Sequence, residues 1–240
     1  MTLFELSDSS EVQVMSSNFQ LPEVIIERHS DHYPHLYRDM DRHQRKIAKR
    51  VLAGEKGAIL LFEVAPVITY GRRTPQSDFH YEEFFYKKNG IDLYPVDRGG
   101  LATYHGPGQW VLFIVDHLER LTGDARGVRK AVCGLLQAAL EVIKKIDPKS
   151  SVLENDRTGV WGVLGKYASV GVHIENRILM HGLCLNVFKT EKSFLGFNPC
   201  GLNSEIGFLA ELKPELNTDE GFMNIGKELV EKIKSHFYQL

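Results

Sequence analysis

The stretch Arg98-Gly-Gly-Leu-Ala-Thr-Tyr-His-Gly-Pro-Gly-Gln109 contains four glycines, one proline, one arginine and one histidine within twelve residues. Glycine is favoured where the backbone turns at positive φ or must approach another group closely. The apolar run Trp110–Val115 follows directly and is typical of a buried strand. We interpret the stretch as a glycine-rich loop that enters a core strand and holds Arg98 and His105 beside it. The alternative interpretation is a plain surface turn between two strands.

Hydrophobic periodicity predicts a mixed succession of strands and helices around this loop. Besides Trp110–Val115, strands are expected at Val24–Glu27, Ala58–Val64, Gly159–Val163, Tyr167–Ile174 and Ile178–Val187. Helices are expected at Leu36–Leu52, Phe84–Asn89 and Phe222–Tyr238, and a further helix is expected within Leu118–Ile146, with Asp124 as its N-cap. This order predicts one α+β domain over 21–240, preceded by an irregular N-terminal extension at 1–20.

Composition limits the classes of function. Of the 240 residues 25% are charged and 43% are hydrophobic, which is typical of a globular protein, and the net charge of -2 gives no electrostatic reason to expect nucleic-acid binding. We find no apolar run of membrane-spanning length and no signal-peptide or transit-peptide pattern. Three cysteines without an export signal favour free thiols and a cytoplasmic location. Because no zinc-type spacing occurs, no metal is expected.

Three further segments contain side chains that could do chemistry. Lys166 begins an apolar strand, with spacing that does not fit a phosphate-binding loop; an exposed turn lysine is the alternative. His181 lies in a strand, where histidines are more often packed than functional. Cys200 stands between Pro199 and Gly201, on a constrained corner where a thiol is expected to be exposed and reactive. Because an ammonium stabilises the reactive thiolate, Lys166 is the candidate partner of Cys200.

Four blocks of the chain, in the same order, resemble the signature motifs of lipoyl(octanoyl) transferases. They are the stretch 98–109, Gly165-Lys166 with Ser169-Val170-Gly171, His181-Gly182-Leu183 with Leu185-Asn186, and Asn198-Pro199-Cys200-Gly201. The segment Glu63–Gly71 is similar to an early strand of that family, although Val64 stands where the family pattern has a histidine, and Cys184 where it has an alanine. The resemblance covers residues 58–205.

The resemblance implies the fold of biotin and lipoate ligases, a mixed β-sheet flanked by helices. It also implies transfer of an octanoyl group from octanoyl-acyl carrier protein to a lysine of a lipoyl domain, the first step of endogenous lipoate synthesis. The acceptors would be the lipoyl domains of 2-oxoacid dehydrogenase complexes and the glycine-cleavage H protein. Cys200 would carry the acyl group as a thioester, and Lys166 would stabilise its thiolate. Because a thioester donor is already activated, no cofactor is expected.

The resemblance further implies which residues line the acyl tunnel. They are Arg98, Gly99, Gly100, Leu101, Ala102, Thr103, Tyr104, His105, Ser169, Val170, Gly171, His181, Gly182 and Leu183.

Two other functions stay open for this sequence. An ATP-dependent lipoate or biotin ligase of the same fold would adenylate the free acid, but ligase loops usually have another glycine and an acidic residue after the histidine. A non-catalytic binder of carrier protein or lipoyl domains would not need both Lys166 and Cys200.

Overall fold

The structure is a computed structural model that describes residues 21–29, 35–197 and 206–238. The strands in these residues are β1 Glu23–Glu27, β2 Ala58–Phe62, β3 Val67–Tyr70, β4 Asp92–Pro95, β5 Thr103–His105, β6 Gln109–His117, β7 Ser151–Leu153, β8 Gly159–Gly162, β9 Gly165–Glu175 and β10 Ile178–Asn186. The α-helices are α1 Tyr37–Leu52, α2 Glu83–Lys88, α3 Leu118–Thr122, α4 Val128–Ile143 and α5 Asp219–Phe237. The predicted extension at 1–20 and the Pro-Cys-Gly corner at 199–201 lie outside the described residues.

A mixed sheet of seven strands forms the centre of the molecule, in the order β1-β2-β6-β10-β9-β8-β7. β1 and β2 pair in parallel, and the other neighbours pair antiparallel. A smaller sheet has the order β4-β3-β5, with β3 parallel to β4 and antiparallel to β5. The predicted α+β class, a mixed sheet flanked by helices, is confirmed.

The two faces of the large sheet are covered by different helices. α4 and α5 pack on one face and enclose a main core that includes Trp110, Leu136 and Phe222. α1 covers the other face, where Tyr37 and Ile47 contribute to a second apolar cluster. β2 is covered on both faces and is therefore a continuous hydrophobic run rather than an alternating one. β10 is also buried along its whole length, but it contains the polar residues His181 and Asn186.

The helix predicted within Leu118–Ile146 is α4, and a separate short helix, α3, precedes it. α4 begins only at Val128, and the residue that precedes it is Gly127. The prediction that Asp124 is the N-cap is therefore wrong: its Oδ1 accepts a hydrogen bond from the Arg126 N–H (2.8 Å) in the turn between the helices. Aspartate is favoured at N-caps and in turns for the same reason, a carboxylate that accepts a nearby N–H, so the local sequence does not separate the two.

An irregularity in the pairing of β8 with β9 sets the direction of Lys166. Trp161 pairs with Lys166, whereas its neighbour Val160 pairs with Ala168, so β9 has one extra residue there. In a regular strand Lys166 and Ala168 would share a face. With the extra residue Ala168 belongs to the main core, whereas Lys166 lines a cavity.

Gly182 of β10 pairs with Phe113 of β6, and a Cβ at Gly182 would overlap the backbone carbonyl oxygen of Leu112. Since backbone in a paired strand cannot move aside, we expect Gly182→Ala to lower the free energy of unfolding by about 2–3 kcal/mol. Gly71→Ala is the matched control, because a Cβ at Gly71 meets its nearest neighbours at 3.7 Å. Chemical denaturation measures both variants, and equal unfolding midpoints would contradict this packing argument.

Candidate active site

A cavity of about 870 Å³ lies beside β9 and is walled by the glycine-rich stretch, by strands β6, β9 and β10, and by helices α1 and α4. Its size is that of a small-molecule site. The predicted site residues that line it are Lys166, Arg98, Gly99, Gly100, Leu101, Ala102, Thr103, His105, Ser169, Val170, Gly171, His181, Gly182 and Leu183. Tyr104 instead packs in a small cluster with Ile68 and Phe197, its ring 5.2 Å from that of Phe194. Cys200 lies outside the described residues.

Arg98 organises the glycine-rich stretch from within. Its guanidinium donates to the carbonyl oxygens of Leu101 (2.8 Å) and Gly99 (3.1 Å). It also donates to the hydroxyl (2.6 Å) and the carbonyl oxygen (3.2 Å) of Thr69 on β3. In addition, the Gly99 N–H donates to the Val172 carbonyl oxygen on β9 (2.9 Å). The loop is thus attached both to the small sheet and to strand β9 of the large sheet.

A buried carboxylate holds the other end of the stretch. Glu63, just after β2, accepts a hydrogen bond from the Gly108 N–H (2.8 Å). Burial raises the pKa of this carboxyl, while Gly108 and the Arg28 guanidinium, 3.5 Å away, favour its charged form. Arg28 also donates to Asp219 at the start of α5 (2.9 Å). Glu63 therefore connects the loop to the core and, through Arg28, to the last helix.

His105 is a buried neutral imidazole. Burial, reinforced by the nearby Arg98 charge, lowers its pKa to about 3. Its Nδ1 lies 2.7 Å from Oε1 of Gln109, and its ring stacks on Tyr37 at 5.2 Å between centroids. The stacking on Tyr37 thus fixes the plane of the His105 ring, and the hydrogen bond with Gln109 fixes the direction of Nδ1 within that plane.

His181 belongs to a polar cluster beneath α1. Its backbone has φ +60 and donates its N–H to Oε1 of Gln44 (2.8 Å). The Tyr37 hydroxyl lies 3.3 Å from Nδ1, and Asp97 lies 3.4 Å from Nε2. Burial lowers the pKa of His181, so the ring is neutral and donates from Nε2 to the Asp97 carboxylate. This hydrogen bond is the main reason that the pKa of Asp97 lies far below its usual value.

Lys166 is only 6% exposed. Its Nζ lies 5.4 Å from the centroid of the Trp161 ring, a cation–π contact between paired residues of β9 and β8. A Cβ at Gly159 would overlap Cε of this side chain, so the glycine makes room for the lysine stem. The site therefore contains an amine surrounded by aromatic and backbone groups at the cavity wall.

The two buried histidines predict acid sensitivity. A base whose pKa is lowered by folding binds a proton more readily when unfolded, so stability is lost as pH falls below the ordinary value of 6.5 toward the folded value of about 3. We expect the free energy of unfolding to decline from pH 6.5 downward, and His105→Gln to reduce that slope by up to about 1.4 kcal/mol per pH unit. Denaturation of both proteins between pH 7 and pH 4.5 measures it. Parallel slopes would show that His105 is not held neutral.

Several residues around the cavity were missed by sequence reasoning. Tyr37, Val111, Phe113 and Cys184 line it, as do Val128 and Val132 of α4. Their apolar periodicity marks them only as core, and nothing local separates a cavity wall from a packed interior. Gln109 and Asn186 stand inside the quoted motifs, and only that position could have drawn attention to them.

The described residues, 21–29, 35–197 and 206–238, include neither a candidate metal cluster nor a candidate membrane-spanning helix. They contain no group of three or more His, Cys, Asp or Glu side chains placed to hold a metal ion. None of their helices combines the length and apolar character needed to cross a membrane.

Comparison with known proteins identifies relatives. Residues 37–229 match the family model described as lipoyl protein ligase A/B catalytic domain. The octanoyltransferase of Desulfotalea psychrophila is 31% identical over 200 residues, covering 81% of this chain and 86% of the relative. The mitochondrial octanoyl-[acyl-carrier-protein]:protein N-octanoyltransferase of Xenopus tropicalis is 38% identical over 150 residues, covering 61% of this chain and 59% of the relative.

Solved structures agree on the fold. A lipoate-protein ligase A bound with ATP aligns with TM-score 0.70 at 12% identity, covering 90% of this chain and 85% of that one. A bi-partite lipoate protein ligase from Thermoplasma acidophilum aligns with TM-score 0.58 at 13% identity, covering 90% and 84%. At this identity the likeness shows the fold alone. The matched family model and the 31% identical relative together show that the chain belongs to the octanoyltransferase family and is an acyltransferase.

Proposed function

We propose that the protein moves an octanoyl group from octanoyl-acyl carrier protein to a lysine of lipoyl domains, through a thioester on Cys200. The acceptors are the lipoyl domains of 2-oxoacid dehydrogenase complexes and the glycine-cleavage H protein. The observation that carries this proposal is a cavity that combines an apolar wall with a buried lysine, Lys166. The names of the relatives support the choice of acyl group and of donor.

The apolar part of the wall suits an acyl chain. Val111, Phe113 and Cys184 contribute apolar atoms on one face of the neighbouring strands β6 and β10. Each methylene transferred from water to such a wall contributes about 0.8 kcal/mol, so an eight-carbon chain gains several kcal/mol from its tail. Binding energy from the unreactive tail then holds the thioester carbon in place for attack.

The proposed chemistry has two steps. The Cys200 thiolate attacks the carbonyl carbon of the donor thioester, a new carbon–sulfur bond forms, and the bond to the carrier's sulfur breaks; the carrier leaves as a thiolate and takes up a proton. The amine of the acceptor lysine then attacks the same carbon, loses a proton, forms the amide and returns the Cys200 thiolate. Neither step needs ATP, because the acyl group stays activated as a thioester throughout.

Lys166 is proposed to supply, as an ammonium, the positive charge that this mechanism requires. An ammonium close to the sulfur favours the thiolate. The backbone of Lys166 pairs with that of Ile206, and the Gly207 N–H donates to the Lys166 carbonyl oxygen (3.2 Å). Only five residues separate Cys200 from Ile206 in the sequence. This short connection supports Lys166 as the partner of Cys200.

The reaction tests the proposal directly. The protein is mixed with octanoyl-acyl carrier protein and an unmodified lipoyl domain without ATP, and in parallel with octanoate, ATP and the same domain. Octanoylation of the domain is expected only in the first mixture. Octanoylation in the second mixture alone would contradict the proposal and identify an ATP-dependent ligase.

A further inference from the structure

Two buried side-chain amides connect the backbone of Lys166 to the ring of His105. Asn186 Nδ2 lies 3.1 Å from the Lys166 carbonyl oxygen. Asn186 Oδ1 lies 2.7 Å from Gln109 Nε2, and Gln109 Oε1 lies 2.7 Å from His105 Nδ1. The three side chains come from the ends of β10, β6 and β5, and their residues are 2%, 3% and 5% exposed. We call this chain of groups the amide relay.

The direction of every hydrogen bond in the amide relay follows from its fixed end. A backbone carbonyl oxygen only accepts, so Asn186 must present its NH₂ to Lys166 and its oxygen to Gln109. Gln109 then donates from Nε2 and has its oxygen left for His105. Since an amide oxygen only accepts, Nδ1 of His105 must carry the proton, and in a neutral ring Nε2 is then a lone-pair acceptor.

The other ring nitrogen of His105, Nε2, is available to accept a hydrogen bond from a substrate. In the described residues the Gln109 bond is the one hydrogen bond recorded for this ring, and His105 lines the cavity. Burial keeps the ring neutral, so it accepts a hydrogen bond rather than supplying a positive charge. Of the three reacting groups, the donor thioester and the Cys200 thiolate have no hydrogen to donate at the reactive centre, whereas the acceptor amine has N–H bonds.

We propose that Gln109 and Asn186 are positioning residues that hold His105 as its Nδ1–H tautomer, so that Nε2 accepts a hydrogen bond from the acceptor amine in the cavity. This inference rests on the proposed function, because the amine is the second substrate of that reaction.

Long-range ¹H–¹⁵N spectra of the ¹⁵N-labelled protein report the tautomer directly. The signals of His105 are those that disappear from the spectrum of the His105→Gln variant. We expect a proton on Nδ1 and none on Nε2, unchanged between pH 8 and pH 6. A proton on Nε2, or on both nitrogens, would overturn the inference. This readout is independent of activity, so it stays meaningful even if the wild type forms no octanoyl adduct, a result that would instead overturn the proposed function.

Substitution of Gln109 tests whether the tautomer of His105 matters for amide formation. Gln109→Leu removes the acceptor for Nδ1–H, and we expect the ring to change to the Nε2–H tautomer. Amide formation from the preformed acyl-enzyme should then slow about tenfold, the equivalent of one buried hydrogen bond, while thioester formation stays within about twofold. Gln137→Leu, at an exposed position of α4, is the matched control. Equal slowing of both steps, or wild-type amide formation, would overturn the inference.

Gln109→Glu supplies the second variant, because it keeps the shape and the acceptor but adds a charge. The carboxylate favours protonation of His105. We expect protons on both ring nitrogens at pH 6 and an amide-forming rate that falls as pH is lowered from 8 to 6. The wild type and the exposed control Gln137→Glu should show no such fall beyond that of the free amine. A profile identical to the wild type would overturn the inference.

Discussion

Cys200→Ala is expected to reduce octanoyl transfer by at least about a thousandfold, because the thioester route disappears with the sulfur and leaves direct attack of the amine on the carrier-bound donor. The measurement is the steady-state rate of octanoylation of a lipoyl domain from octanoyl-acyl carrier protein. Cys200→Ser is the companion variant, and it should form no hydroxylamine-labile thioester.

The other two cysteines provide matched controls for this loss. Cys133 is exposed on α4, so Cys133→Ser should transfer at the wild-type rate. Cys184 is buried in the cavity wall, so Cys184→Ala tests whether a second thiol in the cavity contributes. Transfer by Cys200→Ser at the wild-type rate would contradict the thioester route, and loss of the adduct in Cys184→Ala with retention in Cys200→Ala would place the nucleophile on β10.

Lys166→Ala is expected to have the second largest effect. Without the ammonium the thiolate of Cys200 is less favoured, so the midpoint of the alkylation rate against pH should move upward by about one to two pH units. Transfer should fall up to about a hundredfold near neutral pH, since a smaller fraction of Cys200 is then present as the nucleophilic thiolate. The measurement is the rate of modification by iodoacetamide between pH 5 and pH 10, followed on Cys200 by peptide mass.

A second variant at position 166 distinguishes the effect of the lysine charge from the effect of its side-chain shape. Lys166→Met keeps an unbranched stem against Trp161 and Gly159 but has no charge, so it should move the alkylation profile as far as Lys166→Ala does. Lys130→Ala, at an exposed position of α4, is the control for removal of a lysine. An unchanged alkylation profile in both Lys166 variants would remove Lys166 from the mechanism.

The sequence predicted most of the fold because long apolar patterns determine it. β2 and β10 are buried along their whole lengths, and the run Ile225, Leu229, Ile233 and Phe237 places one face of α5 in the core. The error at Asp124 arose where two local structures favour the same residue type. The pairing irregularity beside Lys166 has no local signature, because it depends on which residues of β8 lie opposite.

The motifs drew attention to residues that line the cavity, but not to the polar network around them. Arg98 and His105 were noticed in the sequence because a glycine-rich loop seldom contains a guanidinium and an imidazole. The hydrogen bonds that hold the polar residues of the cavity join distant parts of the chain. They connect Thr69 with Arg98, Gln44 with His181, and Asn186 with Gln109. Such pairings come from the order of strands in the two sheets, which periodicity alone does not determine.

The central claim is that one sulfur carries the acyl group between two proteins. Intact-mass spectrometry of the protein mixed with octanoyl-acyl carrier protein tests it most directly. The account predicts a single added octanoyl mass that maps to Cys200, is removed by hydroxylamine, and disappears with matching octanoylation when a lipoyl domain is added. A protein that octanoylates the domain from the carrier while no adduct forms, or one whose adduct maps to another residue, would contradict it.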